Sequence, residues 1–361
     1  MSHIGVMLHD FQLGGSERIA LRLAREWAAM GRQATLLVGE DAGPLRHLVT
    51  DTVSVRVADR PAQWQGRDID RLSFWAVKAA REDGITNMFV PGNSYFRAVP
   101  RLAKHNIQVV TKLSNPIIRY DRSAVRNLGF CLITSLRLRK LCALVAPCAA
   151  QAEEAGRQLG TDIPLAVIPN PVLDAFPKIE DAQKIDGQLC AVGRLEPQKN
   201  FALLLEAFAL LDDSSLSLKI AGDGSQRAQL EAQAQRLGIA DRVAFLGVVQ
   251  DAMPLMAESE ALVLSSDFEG YPAVAIEALA AGTYVIARDC CSGIQEILRA
   301  PHTGSIVREE TPQALAGAIR AFMQNRRFDA QAARASASRC LIGPIAKSYL
   351  DLFDEVAISG A

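Results

Sequence analysis

The sequence predicts an α/β protein made of two doubly wound, Rossmann-like parallel-sheet domains. Three observations lead there. The chain has 361 residues, more than one hydrophobic core usually spans. Short apolar runs of strand type alternate with runs of helical period along most of its length, which is the pattern of a parallel sheet with helical crossovers. The alternation is broken by Ile168-Pro169-Asn170-Pro171-Val172, with two prolines in three residues, and a polar run continues to about Asp186. One domain is therefore expected over residues 1–170 and a second over 187–340, with 341–361 left as a terminal helical stretch.

In the first domain His3 to Leu8 reads as a strand, His9 to Leu13 as a loop, and Gly14-Gly15-Ser16-Glu17 as the opening of a helix to about Met30. Ser16 is the expected cap, and Ile19, Leu23 and Trp27 recur at helical spacing on the buried side. Paired glycines between a strand and its helix let the backbone approach a phosphate or a sugar closely; a plain tight turn is the other reading. The spacing is not G-x-G-x-x-G, which argues against a nicotinamide or flavin enzyme.

Gln33 to Val38, Asn87 to Val90, Gln108 to Lys112 and Leu144 to Ala146 continue as strands. Helices are expected near Asp68 to Gly84, Ser94 to His105, Ser123 to Lys140 and Ala149 to Leu159. Ligands of such sheets lie beyond the C-terminal strand ends, so His9, Asn93, Lys112, Ser114 and Asn115 become candidate cleft residues. Asp68-Ile69-Asp70, between Arg67 and Arg71, reads as a capped helix start in preference to a metal triplet.

The stretch from Arg119 to Lys140 carries Arg119, Arg122, Arg126, Arg137, Arg139 and Lys140 among Leu128, Phe130, Leu132, Ile133, Leu136 and Leu138. Such a helix can lie on an anionic membrane surface, and a half-buried helix with a solvated face has the same composition. Nucleic acid is not expected, because no recognised module accompanies the charge.

The second domain begins with strand Leu189 to Val192, then Gly193-Arg194-Leu195-Glu196-Pro197-Gln198-Lys199-Asn200, then a helix from Phe201 to Leu211. Arg194 and Lys199, at a loop and a helix start, suit compensation of a diphosphate. Leu216 to Ala221 runs into Gly222-Asp223-Gly224, and Arg242 to Leu246 into Gly247-Val248-Val249.

Ala261 to Ser265, the loop and helix of Phe268 to Gly282, and Thr283 to Ala287 form a strand, tight loop, helix and strand. Pro272 suits the first helical turn and Gly282 the residue past the end. Glu269 and Glu277 place two carboxylates beside loop N–H groups and a positive helix end. Carboxylates accept hydrogen bonds from vicinal hydroxyls, so the set suits a ligand carrying hydroxyls and phosphates; a solvated loop Glu and a helix-face Glu are the other reading. Glu296 reads as structural, Thr311 to Arg339 as helical, and Gly343-Pro344 as the lead into a last helix, Ile345 to Val356.

Bulk properties restrict the class further. Residues 1–170 carry 22 Lys and Arg against 15 Asp and Glu, whereas residues 171–361 carry 17 against 25, which suggests that the first half meets anionic partners or attracts the second. The seven cysteines include no C-x-x-C pair, so neither a disulfide framework nor a zinc site is indicated, and a reducing cytosol fits. No run of about 18 apolar residues occurs, and Met1 to Gly5 lack the layout of a signal peptide. A cytoplasmic protein is expected, peripheral to the membrane if the basic helix binds it.

The Phe268–Gly282 stretch resembles the E-x7-E signature of retaining glycosyltransferases of the GT-B fold, glycosyltransferase family four. Gly14 to Arg18 resembles that family's G-G-x-E-R segment, and Gly193 to Asn200 its G-R-L-x-P-x-K-N string. The resemblance implies two domains facing a cleft, with the terminal helix 341–361 crossing back to the first. It implies that Glu269 faces the donor sugar, that Glu277 binds the nucleotide ribose, and that Arg194 and Lys199 bind the phosphates and stabilise the leaving group. Gly14 and Gly15 would line the cleft opposite the diphosphate. Gly193, Gly222 and Val249 would border the nucleotide, and Gly270, Tyr271, Pro272 and Ala273 would complete the donor site.

On the acceptor side stand His9, Asn93, Lys112 and Asn115, with Leu113 where the family often has a His. The expected activity is metal-independent transfer of a hexose or related sugar from a UDP- or GDP-linked donor to a glycan or lipid-linked glycan hydroxyl, in bacterial surface polysaccharide synthesis. No cofactor is expected. A nucleotide-sugar epimerase and a non-catalytic nucleotide-sugar-binding protein are the alternatives.

Overall fold

The computed structural model describes residues 3–12, 14–59, 68–118, 122–160, 162–177 and 183–359. Leu13, Arg67, Arg119 and part of the expected polar linker lie outside the described residues. The chain divides into two compact units, one reaching Asp174 and taken up again at Leu341, the other Ala175–Cys340.

The first unit holds strands β1 (Ile4–Leu8), β2 (Ala34–Val38), β3 (Ser54–Val57), β4 (Asn87–Val90), β5 (Gln108–Lys112), β6 (Ala143–Ala146) and β7 (Leu165–Val167). They form one parallel sheet in the order β3-β2-β1-β4-β5-β6-β7. The crossovers carry α1 (Gly15–Ala29), α2 (Ile69–Glu82), α3 (Val99–Lys104), α4 (Ala124–Leu138) and α5 (Ala149–Leu159). Central strands are covered on both faces and so read as unbroken apolar runs: all five residues of β1 and of β2 are buried. The edge strands β3 (Ser-Val-Arg-Val) and β7 (Leu-Ala-Val) are short and largely exposed, which is why apolar patterning does not announce them.

The second unit repeats the plan with β8 (Gln188–Val192), β9 (Ser217–Ala221), β10 (Val243–Gly247), β11 (Ala261–Leu264), β12 (Tyr284–Arg288) and β13 (Gly304–Val307), all parallel, in the order β10-β9-β8-β11-β12-β13. Its helices are α6 (Phe201–Ala209), α7 (Arg227–Arg236), α8 (Met253–Glu258), α9 (Ala273–Ala280), α10 (Ser292–Ile297), α11 (Pro312–Asn325) and α12 (Ala330–Ser338). The helical stretch expected from Thr311 to Arg339 is therefore two helices, parted where Arg326 takes a left-handed φ of 46°.

The last helix, α13 (Ile342–Ser359), starts three residues before the expected Ile345. Pro344 sits in its first turn, where the missing N–H removes no intrahelical bond. It packs against α1 of the first unit. Trp27 Nε1 donates to the Ala346 carbonyl at 3.0 Å, and the Trp27 ring meets Phe89, Tyr349 and Phe353 edge-on at 5.7, 6.1 and 5.9 Å. Among the described residues no helix is long and apolar enough to cross a membrane.

Candidate functional site

In the second unit the strand order reverses between β8 and β11, which are hydrogen-bonded neighbours. In open α/β sheets the crevice beyond such a reversal is where ligands bind. The loop leaving β8 is Gly193–Asn200, and the loop leaving β11 is Ser265–Pro272, so the two sequence signatures of this unit meet there.

Local chemistry fixes the β8 loop. Leu195 is fully buried and its N–H donates to the Asp223 carbonyl at 2.9 Å, which anchors the middle of the loop. Pro197–Lys199 then make a single 3₁₀ turn, and Asn200 caps α6 from a left-handed conformation (φ 45°), its side chain accepting from Leu203 N–H at 3.2 Å. That turn directs Lys199 across to the β11 loop, where its Nζ donates to Glu269 Oε1 at 2.6 Å. A Cβ on Gly193 would stand 3.3 Å from Lys199 Cε, so the lysine stem runs past a residue without a side chain.

The β11 loop is stitched to this turn at several points. Ser265 Oγ donates to the Lys199 carbonyl at 2.8 Å, and Ser266 Oγ to Glu269 Oε1 at 2.7 Å. Asp267 N–H donates to the Gln198 carbonyl at 2.9 Å, while Gln198 Nε2 donates to the Phe268 carbonyl at 2.8 Å. Asn200 Nδ2 donates to Asp267 Oδ1 at 2.7 Å, and the buried Arg288 guanidinium pairs with the same carboxylate and, at 3.0 Å, with Glu310. Glu269 N–H donates to the Cys290 carbonyl at 3.1 Å. Both side-chain donors to Glu269 named here fall on Oε1.

Gly270, Tyr271 and Pro272 are buried, the Tyr271 hydroxyl lying against the Cys340 thiol. Pro272 is the cap residue of α9 and Ala273 its first residue, so the helix starts one position later than expected. No side chain caps α9, and Glu277 sits half-buried one turn above the exposed Ala273 on the same side. Gly222 has φ 139°, and a Cβ there would lie 1.9 Å from the Gly193 carbonyl oxygen; only glycine lets the β8 and β9 ends close this tightly.

Arg194 is exposed, and its charge acts on Glu196, whose carboxyl is held below the usual range mainly by the Ser225 N–H. Val249 is half-buried two residues beyond β10. Lys199, Glu269, Gly193 and Gly222 are thus in direct association, whereas Arg194 and Val249 share only the same sheet end. Sequence reasoning did not single out Ser266, Asp267 and Arg288; the polar Ser-Ser-Asp run directly after a buried strand was the available signal.

The first unit reverses between β1 and β4. Gly14 caps α1, and a Cβ there would fall 2.0 Å from Glu17 Oε2, so the Glu17 carboxylate folds back over the cap. Gly15 faces open space. Ser16 is not the cap but lies inside the first turn, its Oγ converging with Ser114 Oγ on Gly92 (φ 133°), where a Cβ would be 3.0 and 2.7 Å from them.

Asn93 Oδ1 accepts from Ser114 N–H at 2.9 Å and its Nδ2 donates to the Asn115 carbonyl at 2.8 Å, so Asn93, Ser114 and Asn115 form one cluster. His9 is buried, with Nδ1 at 2.9 Å from Asp10 Oδ2 and its N–H on the Tyr95 hydroxyl at 2.9 Å. Lys112 departs from the expected cleft position. It is 2% exposed and its Nζ donates to the Leu113 carbonyl at 3.0 Å, because β5 lies between β4 and β6 and is covered on both faces, Val109, Val110 and Thr111 being buried as well; burial lowers its pKa to about 8. Among the described residues no group of three His, Cys, Asp or Glu side chains is placed to hold a metal ion.

Residues 14–171 match the family model for a glycosyl transferase 4-like domain, and residues 174–339 that for glycosyl transferases group 1. The exopolysaccharide phosphotransferase SCO2592 of Streptomyces coelicolor is 32% identical over 199 residues, covering 53% of this chain but 21% of that protein. The N-acetylgalactosamine-N,N'-diacetylbacillosaminyl-diphospho-undecaprenol 4-alpha-N-acetylgalactosaminyltransferase of Campylobacter jejuni is 23% identical over 335 residues, 90% of this chain and 91% of that one. Among solved structures, HepE of Anabaena in complex with UDP and glucose superposes with a TM-score of 0.81 at 19% identity, over 98% of this chain and 100% of that one. With a glycosyl transferase 4-like domain followed by a group 1 domain, the chain belongs to the glycosyltransferases of the GT-B fold.

Proposed function

We propose that the chain is a retaining, metal-independent glycosyltransferase that moves a hexose or related sugar from a UDP- or GDP-linked donor to a hydroxyl of a glycan or lipid-linked glycan in bacterial surface polysaccharide synthesis. The observation that carries this reading is the Lys199–Glu269 contact of 2.6 Å at the β8/β11 reversal. An ammonium has three N–H donors, so Lys199 can hold Glu269 and still meet phosphate oxygens. With two donors on Oε1, the Oε2 of Glu269 is the oxygen to receive a sugar hydroxyl.

In this reading the donor lies on the second unit. Glu277 accepts from the ribose hydroxyls. Breaking the anomeric C–O bond builds negative charge on the β-phosphate, and Lys199, Arg194 and the first turn of α9 stabilise it. The first unit takes the acceptor, with Asn93 and Asn115 at its C-terminal strand ends. Two relatives support the substrate classes: the Campylobacter enzyme is named for a diphospho-undecaprenol-linked glycan, and the HepE structure holds UDP and glucose.

The test is turnover of a panel of UDP- and GDP-sugars with polyprenyl-diphosphate-linked and free glycan acceptors, with the anomeric configuration of the product read by NMR. An α-donor should give an α-linked product. A β-linked product overturns retention, and an epimerised donor in the absence of acceptor overturns transfer.

A further inference from the structure

We propose that the outer face of α4 is a docking surface for an anionic phospholipid bilayer. A helix on a sheet ordinarily turns apolar residues inward and polar ones outward. On α4 the buried side is Asn127, Cys131, Thr134 and Leu138, spaced by four, three and four. The opposite side is Val125, Leu128, Leu132 and Leu136, which are 81%, 63%, 59% and 58% exposed, with Ile133 beside them. The side facing water is thus the more apolar of the two. A contiguous stripe of this kind marks a surface that is covered in use.

Charge selects the cover. Between Asp83 and Glu153 the sequence has ten Lys and Arg and a single acid, Asp121, which lies outside the described residues. Arg126, Arg139 and Lys140 are exposed along and just beyond α4, and Arg122 and Arg137 are half-buried. Arg97, next to α3, adds its charge to the field at Arg137, which Asp70 of α2 only partly offsets. On α2 itself Phe74 is exposed with the Arg101 guanidinium 3.3 Å over its ring, again an apolar group joined to a cation. A second copy of the chain docking by the same face would set like charges against each other. An anionic bilayer satisfies both features, the leucines entering the acyl boundary and the cations meeting headgroup phosphates. The proposal does not depend on the donor site or on sugar transfer.

The experiment is flotation of the full chain with vesicles of phosphatidylglycerol mixed into phosphatidylcholine, against phosphatidylcholine alone. The chain should float with the mixed vesicles, less so as salt is raised. Leu128→Ser/Leu132→Ser/Leu136→Ser should lower the partition coefficient about tenfold or more. Arg126→Gln/Arg139→Gln/Lys140→Gln should remove the preference for phosphatidylglycerol. Because these side chains face water, both variants should keep the wild-type thermal midpoint, which separates lost docking from lost fold. Wild type that does not float, or a serine variant that floats as well as wild type, overturns the proposal. So does a wild-type dimer that the serine variant converts to monomer while neither binds vesicles.

Discussion

Lys199 and Glu269 stand seventy positions apart in the chain and 2.6 Å apart in the fold. Each is mostly buried, with side-chain exposures of 16% and 11%, so each is the other's principal charge partner in a partly desolvated place. Lys199→Met and Glu269→Gln should each lower kcat by about a hundred- to a thousandfold. Because the pair acts as one unit, the double variant should fall little further than the worse single one. Steady-state kinetics on the three variants checks this.

Asp267 ties the two loops through Asn200 and Arg288, although it touches no expected substrate atom. Asp267→Ala should cost about 1–2 kcal/mol in guanidinium unfolding, since the nearly buried Arg288 then keeps only the Ser265 carbonyl and, as its charge partner, the outlying Glu310. It should also lower kcat about tenfold by loosening the Lys199 turn. Glu310→Ala, at the exposed end of the same network, should change neither measurement beyond error.

Much of this arrangement was legible beforehand, and the failures have physical causes. Central strands such as β1 and β11 are covered on both faces, so their apolar runs declare them; the exposed edges β3 and β7 are governed by pairing with a neighbour, which no local pattern encodes. The Glu269 and Lys199 positions were readable because each belongs to a dense string of turn-forming residues. The roles of Asp267 and Arg288 were not, since a long-range ion pair leaves no spacing rule in the sequence. The burial of Lys112 is not readable from the sequence, because a charged residue at a strand end is usually solvated, and only the packing on both faces of β5 desolvates this one.

That burial has a pH signature. Lys112 binds its proton with a pKa lowered by desolvation to about 8, against 10.5 when exposed. Between those values the unfolded chain holds the proton more tightly, so the penalty is full below about pH 8 and fades as pH rises to about 10.5. Lys112→Met should therefore be more stable than wild type by up to about 3 kcal/mol at neutral pH, with the advantage vanishing at the alkaline end. The buried thiols of Cys190 and Cys340, raised to about 12 and about 11 by desolvation, act in the opposite sense, so the difference between the two proteins is the readout. Urea unfolding across that range decides it; a difference that stays constant with pH contradicts the assignment.

If phosphate charge is met by Lys199, Arg194 and α9, turnover should continue in excess EDTA at the untreated rate. A loss restored by magnesium or manganese would assign that task to a divalent ion.

Glu277 lies one turn into α9 beside the two stitched loops, where the proposal puts the nucleotide ribose. The most direct measurement is calorimetric titration of UDP- and GDP-sugars into wild type and Glu277→Ala. At least one nucleotide sugar should bind, and the substitution should weaken it about thirtyfold, the loss of a charge-assisted hydrogen bond. Wild type that binds none of the panel, or a variant that binds as tightly as wild type, would contradict it.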